Sequence, residues 1–91
     1  MSKKIALKGD QDDLGYTIES DCSTDVRING KPVALKGSLM NDGVAIVTDV
    51  SSGFRINGRL VALKGSQTEY HEHNPKGIGT IQASSDVGAP E

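Results

Sequence analysis

Three near-copies of one short phrase constrain this chain more than anything else in it. Ile5-Ala6-Leu7-Lys8-Gly9-Asp10 returns as Val33-Ala34-Leu35-Lys36-Gly37-Ser38, and again as Val61-Ala62-Leu63-Lys64-Gly65-Ser66, 28 residues apart each time. A second phrase, Arg27-Ile28-Asn29-Gly30-Lys31-Pro32, leads into the second copy. Its counterpart, Arg55-Ile56-Asn57-Gly58-Arg59-Leu60, leads into the third at the same spacing. A fixed period means that one supersecondary unit is used repeatedly, each copy too small to bury an apolar face by itself. A chain of 91 residues is expected to hold about three such units in a single domain, 1–91, with repeats over approximately 5–32, 33–60 and 61–88.

The local chemistry of each unit is that of β-structure. Asn-Gly between Ile28 and Lys31, and again between Ile56 and Arg59, suits a two-residue type I′ turn, whose central positions both need positive φ. That register places Val26, Ile28, Val33 and Leu35 on the inner side of the first ribbon. Phe54, Ile56, Val61 and Leu63 share the inner side of the second. Arg27, Pro32 and Ala34 take the other side of the first, and Pro32, which donates no ladder bond, belongs on an edge. Apolar–polar alternation predicts a half-buried strand over residues 16–20, with counterparts over 44–48 and 78–83. Residues 10–15 and 38–43 have the composition of loops. The third unit carries about five extra residues, because 33 separate Phe54 from Val87 where 28 separate Val26 from Phe54. The enlarged loop, 67–77, holds both histidines. No segment has a helical period. The expected fold is therefore all-β, with three quasi-equivalent β-hairpin repeats around a pseudo-threefold axis. A linear solenoid of three uncapped units makes a poor alternative.

Tyr16, Phe54 and Tyr70 are the only aromatic residues and there is no Trp, so the core must be built from Val, Ile, Leu and Ala. Small folds of this kind need a staple. A lone Cys22 excludes an internal disulfide and leaves a metal or assembly. The net charge of −2 provides no broad basic field, so nucleic acid is not an expected partner. The cations instead recur with the repeat, at Lys8, Lys36 and Lys64, at Arg27 and Arg55, and at Lys31 and Arg59, as solvated strand faces do. No apolar run approaches a membrane helix. Lys3-Lys4 is followed by only three apolar residues, which does not make a signal peptide. The chain is expected to be made and kept in a cytoplasm unless an assembly carries it out.

The stretch from Val26 to Ser38 resembles the PAAR-repeat motif, which runs approximately V-x-I-N-G-x-P-A-A-R-x-G-D. Gly9-Asp10 keeps the terminal pair of that motif. Leu35 and Leu63 stand where the motif has Arg, Val33 and Val61 where it has its first Ala, and Ser38 and Ser66 where it ends in Asp, so no role is carried over for that Arg. The resemblance runs from Ile5 to Val87, and among PAAR proteins the chain is most similar to the small ones of T4-like phage tails. It implies a small conical fold that caps the trimeric β-helical central spike of a contractile tail, one tip per trimer. Such a tip is assembled in the host cytoplasm, rides at the point of the virion's baseplate spike and meets the host outer membrane transiently. A type VI secretion spike tip, or a small metal-stabilised β module binding another partner, are the alternatives. The resemblance also implies a metal ion near the apex, usually zinc, held by His and Cys side chains.

His71 and His73 flank Glu72 in the enlarged loop. On an extended segment, residues two apart point the same way, so both imidazoles can reach one metal; two solvated loop histidines are the other reading. Cys22 is the candidate thiolate. Its position corresponds to Val50 and Ala83, which fits a small buried apolar slot as well as a ligand. Zinc in a structural site takes four ligands, and His71, His73 and Cys22 supply at most three. Asp10, Asp42, Glu69 or Glu72, a water, or a different metal is left to complete the set. His71-Glu72 does not extend to the metalloprotease pattern H-E-x-x-H, because residue 75 is Pro and the segment is not helical. Asp12-Asp13 lacks the spacing of a calcium loop and has the composition of a solvated turn. No catalytic activity is expected.

Overall fold

The three copies of the repeated phrase meet around one axis. In the computed structural model, which describes residues 3–47, 53–72 and 74–88, the amide of Ala6 donates to the carbonyl of Ala62 at 2.9 Å. Ala62 donates to Ala34 at 3.0 Å, and Ala34 donates back to Ala6 at 2.9 Å. Antiparallel bridges flank this cycle at Ile5–Leu63, Leu7–Val33 and Leu35–Val61. Copies stacked in a row would leave the first and last without each other; here the ring closes, as the pseudo-threefold arrangement requires.

The period-two alternation of an extended chain then sorts the side chains to opposite sides of the ring. Ile5, Leu7, Val33, Leu35, Val61 and Leu63 form one buried cluster, with Ile28, Phe54 and Ile56 packed against it. Ala6, Ala34 and Ala62 face the other way. They form a second cluster with Ile18, Met40, Ile46 and Ile81, and Tyr16, Cys22 and Ala83 lie at its margin. Each copy leaves the ring through the same turn. Gly9, Gly37 and Gly65 sit at φ of 96°, 95° and 96°, a region open to Gly at no steric cost. The next side chain reaches back to cap the turn: Leu7 N–H donates to Asp10 Oδ2, Leu35 N–H to Ser38 Oγ and Leu63 N–H to Ser66 Oγ. Asp and Ser are interchangeable here because each offers one oxygen at the same reach.

Among the described residues all regular elements are strands: β1 Gln11–Asp12, β2 Ile18–Ser20, β3 Arg27–Ile28, β4 Lys31–Pro32, β5 Leu39–Met40, β6 Arg55–Ile56, β7 Arg59–Leu60, β8 Gln67–Tyr70 and β9 Ile78–Gln82. They pair as β1–β9–β8, β2–β5, β3–β4 and β6–β7. The last two are the expected hairpins, in the expected register, with Ile28 opposite Lys31 and Ile56 opposite Arg59. Asn29 and Gly30 have φ of 54° and 80°, Asn57 and Gly58 of 52° and 82°. The third ribbon has no Asn-Gly turn. It joins the two ends of the described chain, through a bridge between Lys4 and Gly88. Ile5 N–H donates to Val87 O at 2.8 Å, matching Val33 to Val26 at 3.1 Å and Val61 to Phe54 at 3.0 Å. Val87 is thus the structural counterpart of Val26 and Phe54.

Two expectations need correction. Val26 was placed on the inner face of its ribbon but is 38% exposed. Its carbonyl accepts from Val33 N–H at the last rung of the ladder, but Ser23 Oγ accepts the amides of Asp25 and Val26, which turns the chain away at that point. The stretches with loop composition also contain strands, namely β1, β5 and β8. Two-residue strands are too short to show a period, and the four residues of β8 are polar apart from Tyr70. Residues 48 and 50, at the end of the second expected strand and at the position matched to Cys22, lie outside the described residues.

Candidate functional site

The second apolar cluster ends in a polar layer. Two residues after Asp10, Ser38 and Ser66 come Asp12, Met40 and Thr68, all buried, at 2%, 1% and 2% exposure. Met40 belongs to the apolar cluster. Asp12 and Thr68 instead turn their oxygens toward His71, whose side chain is fully buried. His71 Nε2 lies 2.9 Å from Asp12 Oδ2 and 3.2 Å from Thr68 Oγ1, and Nδ1 lies 2.5 Å from Asp42 Oδ2. The Tyr16 ring stacks on the imidazole, with centroids 3.8 Å apart and planes 7° from parallel. We call this end of the stack the apex.

Local structure fixes each member. His71 leaves the end of β8, where its amide donates to Gly77 O at 2.6 Å. Its carbonyl accepts from Asn74 at 3.1 Å, and Gly77 N–H donates to Asn74 O at 3.0 Å, so the loop folds back on itself. Asp12 is held by its other oxygen, Oδ1, which accepts the amides of Leu14 and Tyr16 at 2.9 and 3.0 Å. Thr68 Oγ1 donates to Glu69 O at 2.9 Å and accepts from Gly79 N–H at 3.1 Å.

These contacts orient the ring. A hydroxyl has one proton to give, and that of Thr68 goes to Glu69, so Thr68 is an acceptor toward Nε2. Nε2 therefore carries a hydrogen, shared between Asp12 and Thr68. Nδ1 faces Asp42, whose pKa is lowered. Burial pushes that carboxyl up, but the hydrogen bond from His71, the amide of Val44 and the charge of His71 together outweigh it. Each ring nitrogen of His71 thus faces a carboxylate oxygen, Nε2 that of Asp12 and Nδ1 that of Asp42.

Of the three sequence-predicted ligands, His71 is at this apex and His73 lies outside the described residues. Cys22 is at the margin of the second apolar cluster. Its Sγ lies 3.8 Å from Ser20 O, and a cleft lined by Lys8, Glu19, Thr24, Arg27 and Pro32 flanks it. Burial raises its thiol pKa, ahead of the Ser38 hydrogen bond and the Lys8 charge that pull it down. None of the contacts of His71 involves Cys22. Among the described residues no three His, Cys, Asp or Glu side chains are arranged to hold an ion. Asp42 was one of four candidate carboxylates. Asp12, Thr68 and Tyr16 were missed, although Asp12 could have been found by its place in the repeat, two residues past Asp10, where its counterparts Met40 and Thr68 are also buried.

No helix among the described residues is long and apolar enough to cross a membrane. No curated protein and no solved structure matches the chain. The PAAR motif family matches residues 8–72, most of the chain and all of the second repeat. That motif marks a structural tip module and not a class of enzyme. A closed ring of three repeats carrying the motif, with no helix among the described residues, places this chain in the PAAR-motif family, as a spike-tip module belonging to the tail or secretion machinery of contractile injection systems.

Proposed function

We propose that this chain caps the trimeric β-helical central spike of a contractile phage tail, one tip per trimer, and sharpens the spike for passage through the host outer membrane. The observation that carries this reading is the cycle Ala6–Ala62–Ala34, which gives a single chain threefold symmetry in its backbone. A trimeric shaft ends in three equivalent strand edges, which attract further pairing unless covered. A monomer with three equivalent faces covers all three at once. The side of the ring opposite His71 is suited to that contact. It carries the hairpins β3–β4 and β6–β7 and the threefold-related set Val26, Phe54 and Val87, of which Val26 and Val87 are 38% and 43% exposed. Isolated exposed valines need no explanation, but apolar residues repeated about an axis fit a partner of the same symmetry. Rigidity serves the task and no catalytic chemistry is required.

Co-expression with the C-terminal fragment of a trimeric β-helical spike tests this. The expected product is a complex of one tip and three spike chains, weakened when Val26 and Val87 are both changed to Asp. A folded tip that forms no complex overturns the reading. A type VI secretion spike would offer the same kind of end, and the proteins neighbouring the tip in a purified particle decide between the two machines.

A further inference from the structure

We propose that the apex is closed by protein side chains, with His71 gripped between Asp12 and Asp42 in the place where the family resemblance implies a metal ion. The inference stands on the apex geometry and is independent of which spike the opposite face meets.

A structural ion at a threefold apex has one task, to tie the three repeats together. Here side chains from all three repeats make that tie. Asp12 comes from the first repeat, Asp42 from the second and His71 from the third, and the hydrogen bonds at 2.9 and 2.5 Å link them in a line. Tyr16, again from the first repeat, covers one face of the ring. The members differ chemically, but each repeat contributes one polar side chain, as each would contribute a ligand.

The same groups do not fit a cation as they stand. A histidine binds metal through a bare ring nitrogen, and both nitrogens of His71 are already engaged by carboxylate oxygens here, at 2.9 and 2.5 Å. The Oδ1 of Asp12 is taken by two amides. Among the described residues no buried side-chain nitrogen or oxygen lacks a hydrogen-bond partner, so none is left waiting for an ion. Cys22 has its own surroundings at the margin of the second apolar cluster. A cation bound at either ring nitrogen would have to displace the contact of His71 with Asp12 or with Asp42.

Three measurements on the full chain test the proposal. Elemental analysis of protein purified without chelator is expected to find far less than one transition-metal ion per chain. Thermal unfolding is expected to show the same midpoint with and without excess EDTA. Ring-nitrogen NMR of the folded protein is expected to show protons on both Nδ1 and Nε2 of His71. One retained metal ion per chain together with a midpoint that drops in EDTA overturns the proposal, and so does a His71 ring with an unprotonated nitrogen. Asp42→Asn and Asp42→Ala complete the set, since Asp42 is partly solvent-exposed and either variant can fold. Both are expected to lower the midpoint equally with and without EDTA; a wild-type midpoint in both overturns the clamp.

Discussion

Gly79 has no side chain where the carboxylate of Asp12 needs the room. A Cβ built at Gly79 would meet the Asp12 Oδ2, Cγ and Cβ atoms at closer than van der Waals contact. The position lies inside β9, where Gly weakens a strand unless another group comes close, and the group that comes close is the one that holds His71. Gly79→Ala is expected to push Asp12 away from Nε2 and to destabilise by roughly 1–3 kcal/mol, the usual cost of overpacking. Urea unfolding measures it. Because the obstruction is the Asp12 carboxylate, the effect should shrink in an Asp12→Ala background, a non-additivity expected of groups in contact. Simple additivity of the two changes would show that Gly79 matters for some other reason.

The apex residues should rank by what each leaves behind. His71→Ala removes the partner of a buried carboxylate and opens a gap against Tyr16. Breaking a buried ion pair from one side costs about 3–5 kcal/mol. Thr68→Val keeps the shape but strips the acceptor from Gly79 N–H and from Nε2, for which about 1–3 kcal/mol is expected. A domain with only ~5–15 kcal/mol in total feels both. Equilibrium unfolding of the two variants should preserve that order; a milder loss in His71→Ala than in Thr68→Val would mean that the ring is not held by its charges.

Much of the architecture could be read before any coordinates, because it is written as repetition. The 28-residue period, the Asn-Gly turns and the correspondence of Val87 with Val26 and Phe54 all carry through to backbone hydrogen bonds. The enlargement of the third unit was legible only in sum. Thirty-five residues separate Ile46 from Ile81 against 28 between Ile18 and Ile46, while the segment from Ile81 to Val87 is two shorter than its counterparts, leaving the five seen in the sequence. The apex was harder. Asp12 has the composition of a solvated turn because nothing within ten residues says what it faces; its partner lies 59 positions away in the chain. Two-residue strands such as β1 carry no period for the same reason, since pairing across the fold and not local alternation makes them strands.

The alanines of the central ring should tolerate no enlargement. Ala6, Ala34 and Ala62 are fully buried and linked amide to carbonyl at the axis. A Val at any of them adds two methyl groups where three segments of the chain converge, and about 1–3 kcal/mol of destabilisation is expected. Symmetry adds a sharper expectation. The three single variants should lose similar amounts, whereas Ala83→Val, at the margin of the second cluster, should lose less. A pronounced difference among the three ring positions would mean that the repeats are not energetically equivalent.

Cys22 should behave as a small apolar residue with a slow thiol. Burial raises its pKa above the ordinary thiol value, and the thiolate is the reactive form. At neutral pH its modification by a soluble disulfide reagent is therefore expected to be slower in the folded protein than in the protein unfolded by urea. Cys22→Ala should leave the thermal midpoint close to that of the wild type. Faster modification in the folded state would point to an activated thiolate and would reopen the question of a ligand.

Acid should loosen the apex through Asp42. Its carboxyl pKa lies below the usual 3.8, because the hydrogen bond from His71, the Val44 amide and the charge of His71 together overcome the opposing effect of burial. A carboxyl with a depressed folded pKa binds protons more readily in the unfolded chain, so stability rises with pH across that range. The contribution of Asp42 is thus complete above the unfolded value near pH 4, declines below it, and is gone once pH has fallen through the folded value. Asp42→Asn lacks this titration. The wild-type melting midpoint should therefore fall more steeply than that of Asp42→Asn as pH is lowered from about 5 toward 3, and the two curves should approach each other at the acid end. Thermal melts of both proteins across that interval measure the difference. Parallel curves would show that Asp42 gains nothing from His71 on folding, and the link between the second and third repeats would lose its electrostatic basis.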